Sequence, residues 1–212
     1  MIFDVDGTLV DSEGLSNQAF LDLIPACTDP LHVLIDRNRG RRFVVVAQEL
    51  AAQAGVALPE DFEAAYRARV DELLEAHLKP IAGVKDMLSA LRLPFCAASN
   101  APHRKIRKAM QRTHLEHFFG ERIYSAYDVN AWKPAPDLFL HAAKSMGYPP
   151  SRCVVIEDSE VGLQAAIAAS MSVLFFSPAN TEHLSQPTAT FTDMNELLPL
   201  LEQQRKLRAT NG

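Results

Sequence analysis

The sequence predicts an α/β fold: a parallel sheet covered by helices on both faces, with an all-helical insert after its first strand. Three features predict it. From Gly83 onward, short apolar runs alternate with helical patterns, and such continuous apolar strands belong to sheets buried on both faces. Between Ser12 and Lys79 no convincing parallel-sheet strand occurs, only helical periodicity. Asp4, Ser99 and the pair Glu157-Asp158 each fall where an apolar run gives out, and open parallel sheets bind ligands at the carboxyl ends of their strands.

Taken in order, the first strand is a stub. Three residues precede Asp4, short for a buried strand, as in a chain truncated at its start or given a start codon too far downstream. In the insert, Phe43, Val46, Ala47, Leu50, Ala51 and Ala54 form a helical stripe ended by Gly55. A second stripe runs through Phe62, Tyr66, Val70, Leu73, Leu74 and His77 to Lys79-Pro80. Val44-Val45-Val46 suits a strand locally, but the longer stripe favours a helix. Beyond the insert, Val84–Leu91 reads as a helix and Pro94–Ala98 as a strand ending at Ser99-Asn100. Ile106, Ala109, Met110 and Thr113 mark one helical face. Leu138, Phe139, Ala142, Ala143 and Met146 mark another, begun by Pro134 and Pro136 and stopped by Gly147. Cys153–Ile156 is an apolar strand, Ser159 to about Ala169 a helix, and Ser172–Phe176 the next strand. The expected organisation is a catalytic core from residues 1–11 and 80–212, with residues 12–79 as a helical cap beside the site, placed to exclude water and meet the leaving group.

Composition narrows the classes of function. At 212 residues the chain can bury a full core, and 48% hydrophobic with 22% charged residues is ordinary for a globular protein. A net charge of −5 offers no general attraction to nucleic acid or acidic membranes. No apolar run reaches spanning length and no signal-peptide pattern occurs, so the expected compartment is the cytoplasm. Cys27, Cys96 and Cys153 lack metal-finger spacing, and an odd count argues against a disulfide framework.

Four pieces carry the chemistry. In Asp4-Val5-Asp6-Gly7-Thr8 two carboxylates one residue apart would share a strand face, and Gly7 lets the chain bend after them. Carboxylates so close do not both ionise comfortably unless a cation lies between them or one keeps its proton. Ser99-Asn100 offers a hydroxyl and backbone N–H groups to an anion such as phosphate. Lys133, held out of helical geometry by Pro134, can neutralise a nucleophile and a phosphoryl group. Glu157-Asp158-Ser159 with Gly162 turns a strand into a helix, and its carboxylates complete an all-oxygen shell suited to Mg²⁺. Each piece alone has an ordinary explanation: an Asx turn, a solvated helix start, an N-cap. All four, in this order and each at a strand end, are specific.

These motifs resemble the four motifs of the haloacid-dehalogenase-like hydrolase superfamily, over the whole chain and with a helical cap between the first two. The resemblance implies a Rossmann-like core and an aspartyl-phosphate mechanism. Asp4 would be the nucleophile, and Asp6 the acid that protonates the leaving oxygen and then the base that activates water. Asp4, the backbone carbonyl of Asp6, and Asp158 would hold Mg²⁺, with Glu157 supporting the metal's waters and orienting Lys133. Ser99 and Lys133 would grip the phosphoryl group, with Gly7, Thr8 and Asn100 around the substrate.

Departures within the superfamily narrow the reaction. Its dehalogenases lack the second aspartate, present here as Asp6. Its phosphonatases replace that residue and use a cap lysine, and the segment from Ser12 to Leu78 contains no lysine. The β-phosphoglucomutases carry a histidine where this chain has Ser16, which places a phosphosugar mutase second. A non-catalytic phosphate-binding protein comes third. Arg37, Arg39, Arg41 and Arg42 surround Asn38 and Gly40 ahead of a helix. Most read as a solvated loop, while Arg39-Gly40 is expected to grip a second anionic or polyhydroxy end of the substrate. The basic run His103, Arg104, Lys105, Arg107 and Lys108 reads as an exposed helix face with one residue near the site. The stretch from Pro94 to Phe176 is similar to bacterial 6-phosphogluconate phosphatases of the superfamily. The expected activity is therefore Mg²⁺-dependent hydrolysis of a small phosphorylated sugar or sugar acid.

Overall fold

The computed structural model describes residues 1–178 and 183–210, the side chains of residues 206–210 excepted. After β1 (Ile2–Phe3) come four helices: α1 (Glu13–Leu23), α2 (Leu31–Asn38), α3 (Phe43–Ala54) and α4 (Phe62–His77). The chain continues through α5 (Val84–Ala90), β2 (Cys96–Ser99), α6 (His103–Arg112), α7 (Glu116–Phe119), β3 (Ile123–Ser125), α8 (Ala126–Val129) and α9 (Asp137–Ser145). It ends with β4 (Val154–Glu157), α10 (Glu160–Ala168), β5 (Ser172–Phe176), β6 (Ala189–Phe191) and α11 (Leu197–Thr210).

The strands form one sheet in the order β3-β2-β1-β4-β5-β6, every neighbouring pair parallel. The chain builds outward from β1 in one direction through β3, then restarts at β4 and builds the other way. The order reverses between β1 and β4, where doubly wound α/β sheets open a crevice. Side chains alternate across the pleat, and both faces are apolar. Phe3, Ala97, Ile156 and Leu174 pack beneath α5, α6 and α11. Ile2, Cys96, Val155 and Val173 pack beneath α9 and α10.

The short β1 sits at the centre of this sheet, where neighbours on both sides define it. Ile2 pairs with Cys96 and Val155, and Phe3 with Ala97 and Ile156. The Asp4 N–H extends the ladder to the Ile156 carbonyl at 2.9 Å. Phe3 is fully buried and meets the Phe95 and Phe119 rings edge-on. Burying such a ring contributes about 1.5–3 kcal/mol, so few residues suffice to anchor the strand.

The four helices between β1 and α5 carry an apolar centre of their own, in which Phe20, Leu34, Val46, Leu50 and Phe62 are buried. The Phe20, Phe43 and Tyr66 rings lie against one another there. The two connectors of this segment run side by side. Asp11 N–H donates to the Lys79 carbonyl (3.0 Å), Ile81 N–H donates to the Leu9 carbonyl (3.0 Å), and Val10 bridges Pro80 in antiparallel sense.

Candidate active site

β1 delivers Asp4 and β4 delivers Glu157 and Asp158 to the two lips of the crevice. One oxygen from each of these three buried carboxylates lies within 4.8 Å of the others. Gly7 makes the approach possible: it turns the chain with φ +81°, and a Cβ there would collide with the Asp158 carboxylate. Gly162 does the same for Glu157, whose carboxylate folds under the first turn of α10 into space that a Cβ would fill. Ser159 caps that helix by accepting from Gly162 N–H (3.2 Å). It also donates to Glu157 Oε2 from its N–H (2.7 Å) and its hydroxyl (2.9 Å).

Lys133 enters this anionic cluster, 4% exposed, from the loop after α8. Its ammonium donates to Asp4 Oδ1 at 2.5 Å and Glu157 Oε1 at 2.7 Å, and lies 4.8 Å from the centre of the Phe139 ring. Asn100 fixes the loop by accepting the Lys133 backbone N–H on Oδ1 (2.9 Å), and the Lys133–Pro134 peptide is cis. Ser99 Oγ accepts from Ala101 N–H at 3.0 Å at the end of β2. Ser99 and Asn100 both line the cavity, although the bond to Lys133 commits the Asn100 carbonyl oxygen to positioning. Thr8 Oγ1 donates to Asp158 Oδ1 at 3.0 Å, so its side chain supports a carboxylate.

The electrostatics follow from burial. Desolvation pushes the Asp4 carboxyl well above the usual range, Lys133 pulls it partly back, and Glu157 and Asp158 push it further up. Asp158 is raised to about 6, by burial and then by Glu157, against the pull of Arg39. Burial disfavours the charge on Lys133, but Asp4 and Glu157 more than offset this and hold its pKa above the ordinary lysine value. All the donors in the cluster are carboxylate oxygens under mutual repulsion, a set that fits a hard divalent cation. The Asp6 carboxylate stands apart from it. Desolvation opposes its charge, yet Lys105 and Ser12 prevail and its pKa lies below the usual value.

Arg39 and Gly40, in the loop between α2 and α3, both meet the end of β4 or the start of α10. Arg39 is not among the residues that line the cavity; its guanidinium donates from Nη1 to Asp158 Oδ2 at 2.8 Å. Gly40 lines the cavity, but its φ of +70° and the positions of Ser159 and Val161, 2.7 Å from a would-be Cβ, make it the point where the loop touches α10. The other arginines divide cleanly. Arg37 pairs with Asp29, whereas Arg41 and Arg42 both line the cavity: Arg41 pairs with Glu49, and Arg42 lies with its guanidinium 5.1 Å over the Trp132 ring and no carboxylate partner among the described residues.

The basic run on α6 is an exposed face, with Arg104 82% exposed, that also carries ion pairs to α4. Arg104 and Lys108 reach Asp71 on α4 (3.4 and 3.3 Å), and Arg112 pairs with Glu75. Lys105, between them, turns inward to Asp6 Oδ1 at 3.0 Å. Sequence reasoning expected one residue of this run near the site without choosing Lys105, and assigned no role to Ser12 or Glu13. The signal for the last two was their place a few residues after the Asp4–Thr8 motif. Glu13 lines the cavity, and its carboxyl is pushed up to about 8 by desolvation, then by Asp158 and Asp6. The cavity bounded by these groups holds about 490 Å³, between the carboxylate cluster and an apolar wall from Phe20, Phe43, Val46 and Tyr66.

The chain is similar to known proteins in both sequence and fold. The chain is 34% identical over 203 residues to the 6-phosphogluconate phosphatase of Escherichia coli (strain K12), covering 93% of this chain and 91% of the relative. It matches the crystal structure of a conserved haloacid dehalogenase-like protein of unknown function from Agrobacterium tumefaciens with a TM-score of 0.85 and 30% identity, over 96% of this chain and 97% of the other. A hydrolase of the same family from Deinococcus radiodurans, with bound phosphate and sodium, matches at a TM-score of 0.79 and 30% identity over 95% and 94% of the two chains. The model of the haloacid dehalogenase-like hydrolases matches residues 1–170, a span that includes Asp4, Asp6, Ser99, Lys133, Glu157 and Asp158. By fold, by sequence and by the residues gathered at the sheet's crevice, the chain belongs to the haloacid dehalogenase-like hydrolase family.

Proposed function

We propose that this protein is a Mg²⁺-dependent phosphatase of a small phosphorylated sugar or sugar acid, with 6-phosphogluconate as the candidate substrate. The observation that carries the reading is the Asp4 carboxylate held 2.5 Å from Lys133 at the floor of a 490 Å³ cavity, with Asp6 two residues on. Asp4 attacks phosphorus through a carboxylate oxygen, and the bond to the sugar oxygen breaks as that oxygen takes a proton from Asp6. Asp6 then removes a proton from the water that hydrolyses the aspartyl-phosphate. Lys133 and Ser99 hold the phosphoryl oxygens as charge moves between them. Asp4, Asp158 and the backbone carbonyl of Asp6 would hold Mg²⁺, with Glu157 behind them. When bound it would neutralise the carboxylates and draw charge from the phosphoryl group.

The sugar-acid part rests on a further basic group that lines the cavity. Arg42 offers a guanidinium without a carboxylate partner among the described residues, where a substrate carboxylate remote from the phosphate would reach. The 6-phosphogluconate phosphatase relative supports the same choice. Ser16 lines the cavity, and its hydroxyl offers no imidazole for proton relay in a mutase, which favours hydrolysis. Phosphate release from a panel of sugar phosphates and sugar-acid phosphates, with Mg²⁺ and with chelator, tests the reading. Mg²⁺-dependent release is expected, greatest from a sugar acid. No release from any ester overturns it, as does normal turnover by a folded Asp4→Asn variant.

A further inference from the structure

Asp6 is bound asymmetrically. Its Oδ1 accepts two hydrogen bonds, from Ser12 Oγ at 2.5 Å and from Lys105 Nζ at 3.0 Å. Its Oδ2 has no hydrogen-bond partner among the described residues, and Asp6 lines the cavity. Lys105 lies in the first turn of α6, whose neighbouring side chains Arg104 and Lys108 are held by Asp71 of α4, so its reach to Asp6 is set by a fixed element. Asp6 is also the only carboxylate Lys105 contacts among the described residues, although Lys105 lines the same cavity.

We propose that Lys105 is the positioning residue of Asp6: with Ser12 it occupies Oδ1, which leaves Oδ2 as the oxygen that gives and takes the proton. The inference rests on the proposed phosphatase reading. A carboxylic acid whose Oδ1 lone pairs already accept two donors carries its proton on Oδ2. In the first step the Oδ2–H bond breaks and an O–H bond forms on the leaving oxygen, as the P–O bond to that oxygen breaks and the bond from Asp4 to phosphorus forms. In the second step Oδ2 takes a proton from water while the water oxygen bonds to phosphorus and the Asp4–phosphorus bond breaks. Lys105 transfers no proton and touches no reacting atom. It keeps Asp6 turned so that the free oxygen faces the cavity.

The role has a kinetic signature separate from substrate binding. Help from an acid matters for a basic leaving oxygen and little for one that departs as a stable anion. Substituted phenyl phosphates vary that property at nearly constant shape, and kcat/KM reports the step up to transfer onto the enzyme. In Lys105→Met, the limiting kcat/KM across the pH profile, which a change in the protonated fraction of Asp6 does not enter, is expected to fall about tenfold or more for phenyl phosphate and to stay within about threefold for 4-nitrophenyl phosphate, so that dependence on leaving-group basicity steepens. Lys105→Arg should restore most of the loss, and both variants should melt near wild type. An equal fall across the series, or a rise in KM at unchanged kcat, overturns the proposal in favour of a structural or substrate-binding lysine. Absence of release from every ester by the wild-type protein overturns the phosphatase reading itself, and this inference with it.

Discussion

Arg39 of the helical segment and Asp158 of the core form an ion pair, Nη1 to Oδ2 at 2.8 Å, with the Asp158 side chain only 1% exposed. The bond joins the loop between α2 and α3 to the end of β4 and occupies an oxygen of the carboxylate cluster. A cation that binds Asp158 through that oxygen must displace the guanidinium. Arg39→Ala is therefore expected to lower the Mg²⁺ concentration at half-maximal activity, by roughly two- to fivefold for a partly screened pair. Titration of activity with Mg²⁺ checks this. A raised substrate KM with unchanged Mg²⁺ dependence would return Arg39 to the substrate-gripping role that its position in the loop suggested.

Arg42 should carry substrate selectivity instead. Removing one charged partner of a substrate carboxylate costs about 1.5–3 kcal/mol, or roughly 10- to 150-fold in KM. Arg42→Ala should show that rise for 6-phosphogluconate and little change for glucose 6-phosphate. Equal effects on the two substrates would place no carboxylate at Arg42.

Glu13 gives a pH dependence with a definite sign. Its folded pKa of about 8 lies above the unfolded value of 4.5, so between them the folded protein holds a proton that the unfolded chain releases. Its contribution to stability is complete below about pH 4.5 and is lost as the pH rises through 8. Metal-free melting temperatures should thus decline from pH 6 to 8 in the wild type and decline less in Glu13→Gln. The upper half of the Asp158 transition at about 6 also falls in this window, in both proteins, so the difference between wild type and Glu13→Gln is the quantity to read. Parallel curves for the two proteins would show that Glu13 ionises normally.

At Gly162 the expected effect is local. A Cβ there collides with the Glu157 carboxylate, which must move and release Lys133. Gly162→Ala should cost about 1–3 kcal/mol of stability and reduce turnover more than substrate binding. Thermal melts with steady-state kinetics measure both, and wild-type turnover in that variant would show that Glu157 does not position Lys133.

Much of this architecture was legible because it rests on local pattern. The stripes from Phe43 and Phe62 became α3 and α4, and Ser172–Phe176 became β5, because apolar periodicity and the breakers beside it decide such elements. β3 and β6 escaped notice: each has three residues, and Ile123-Tyr124-Ser125 or Ala189-Thr190-Phe191 becomes a strand only because a longer neighbour offers its edge. The site divides in the same way. Groups at strand ends were readable from the chain, since the sheet delivers them to one place. Arg39, Arg42 and Lys105 depend on how a loop or helix meets another part of the fold. Periodicity does not encode which of several neighbouring basic side chains faces inward.

The side-by-side connectors of the helical segment, joined from Asp11 to Lys79 and from Leu9 to Ile81, have an evolutionary consequence. To the sheet, the long excursion between them closes like a tight turn, because its ends are already hydrogen-bonded to each other. Loop-closure entropy grows only slowly with length, so what lies beyond the junction can lengthen, shrink or be exchanged at little cost to the core. A scaffold of this kind can keep its chemistry constant while new substrates are explored, by replacing only what is hung on that two-stranded stem.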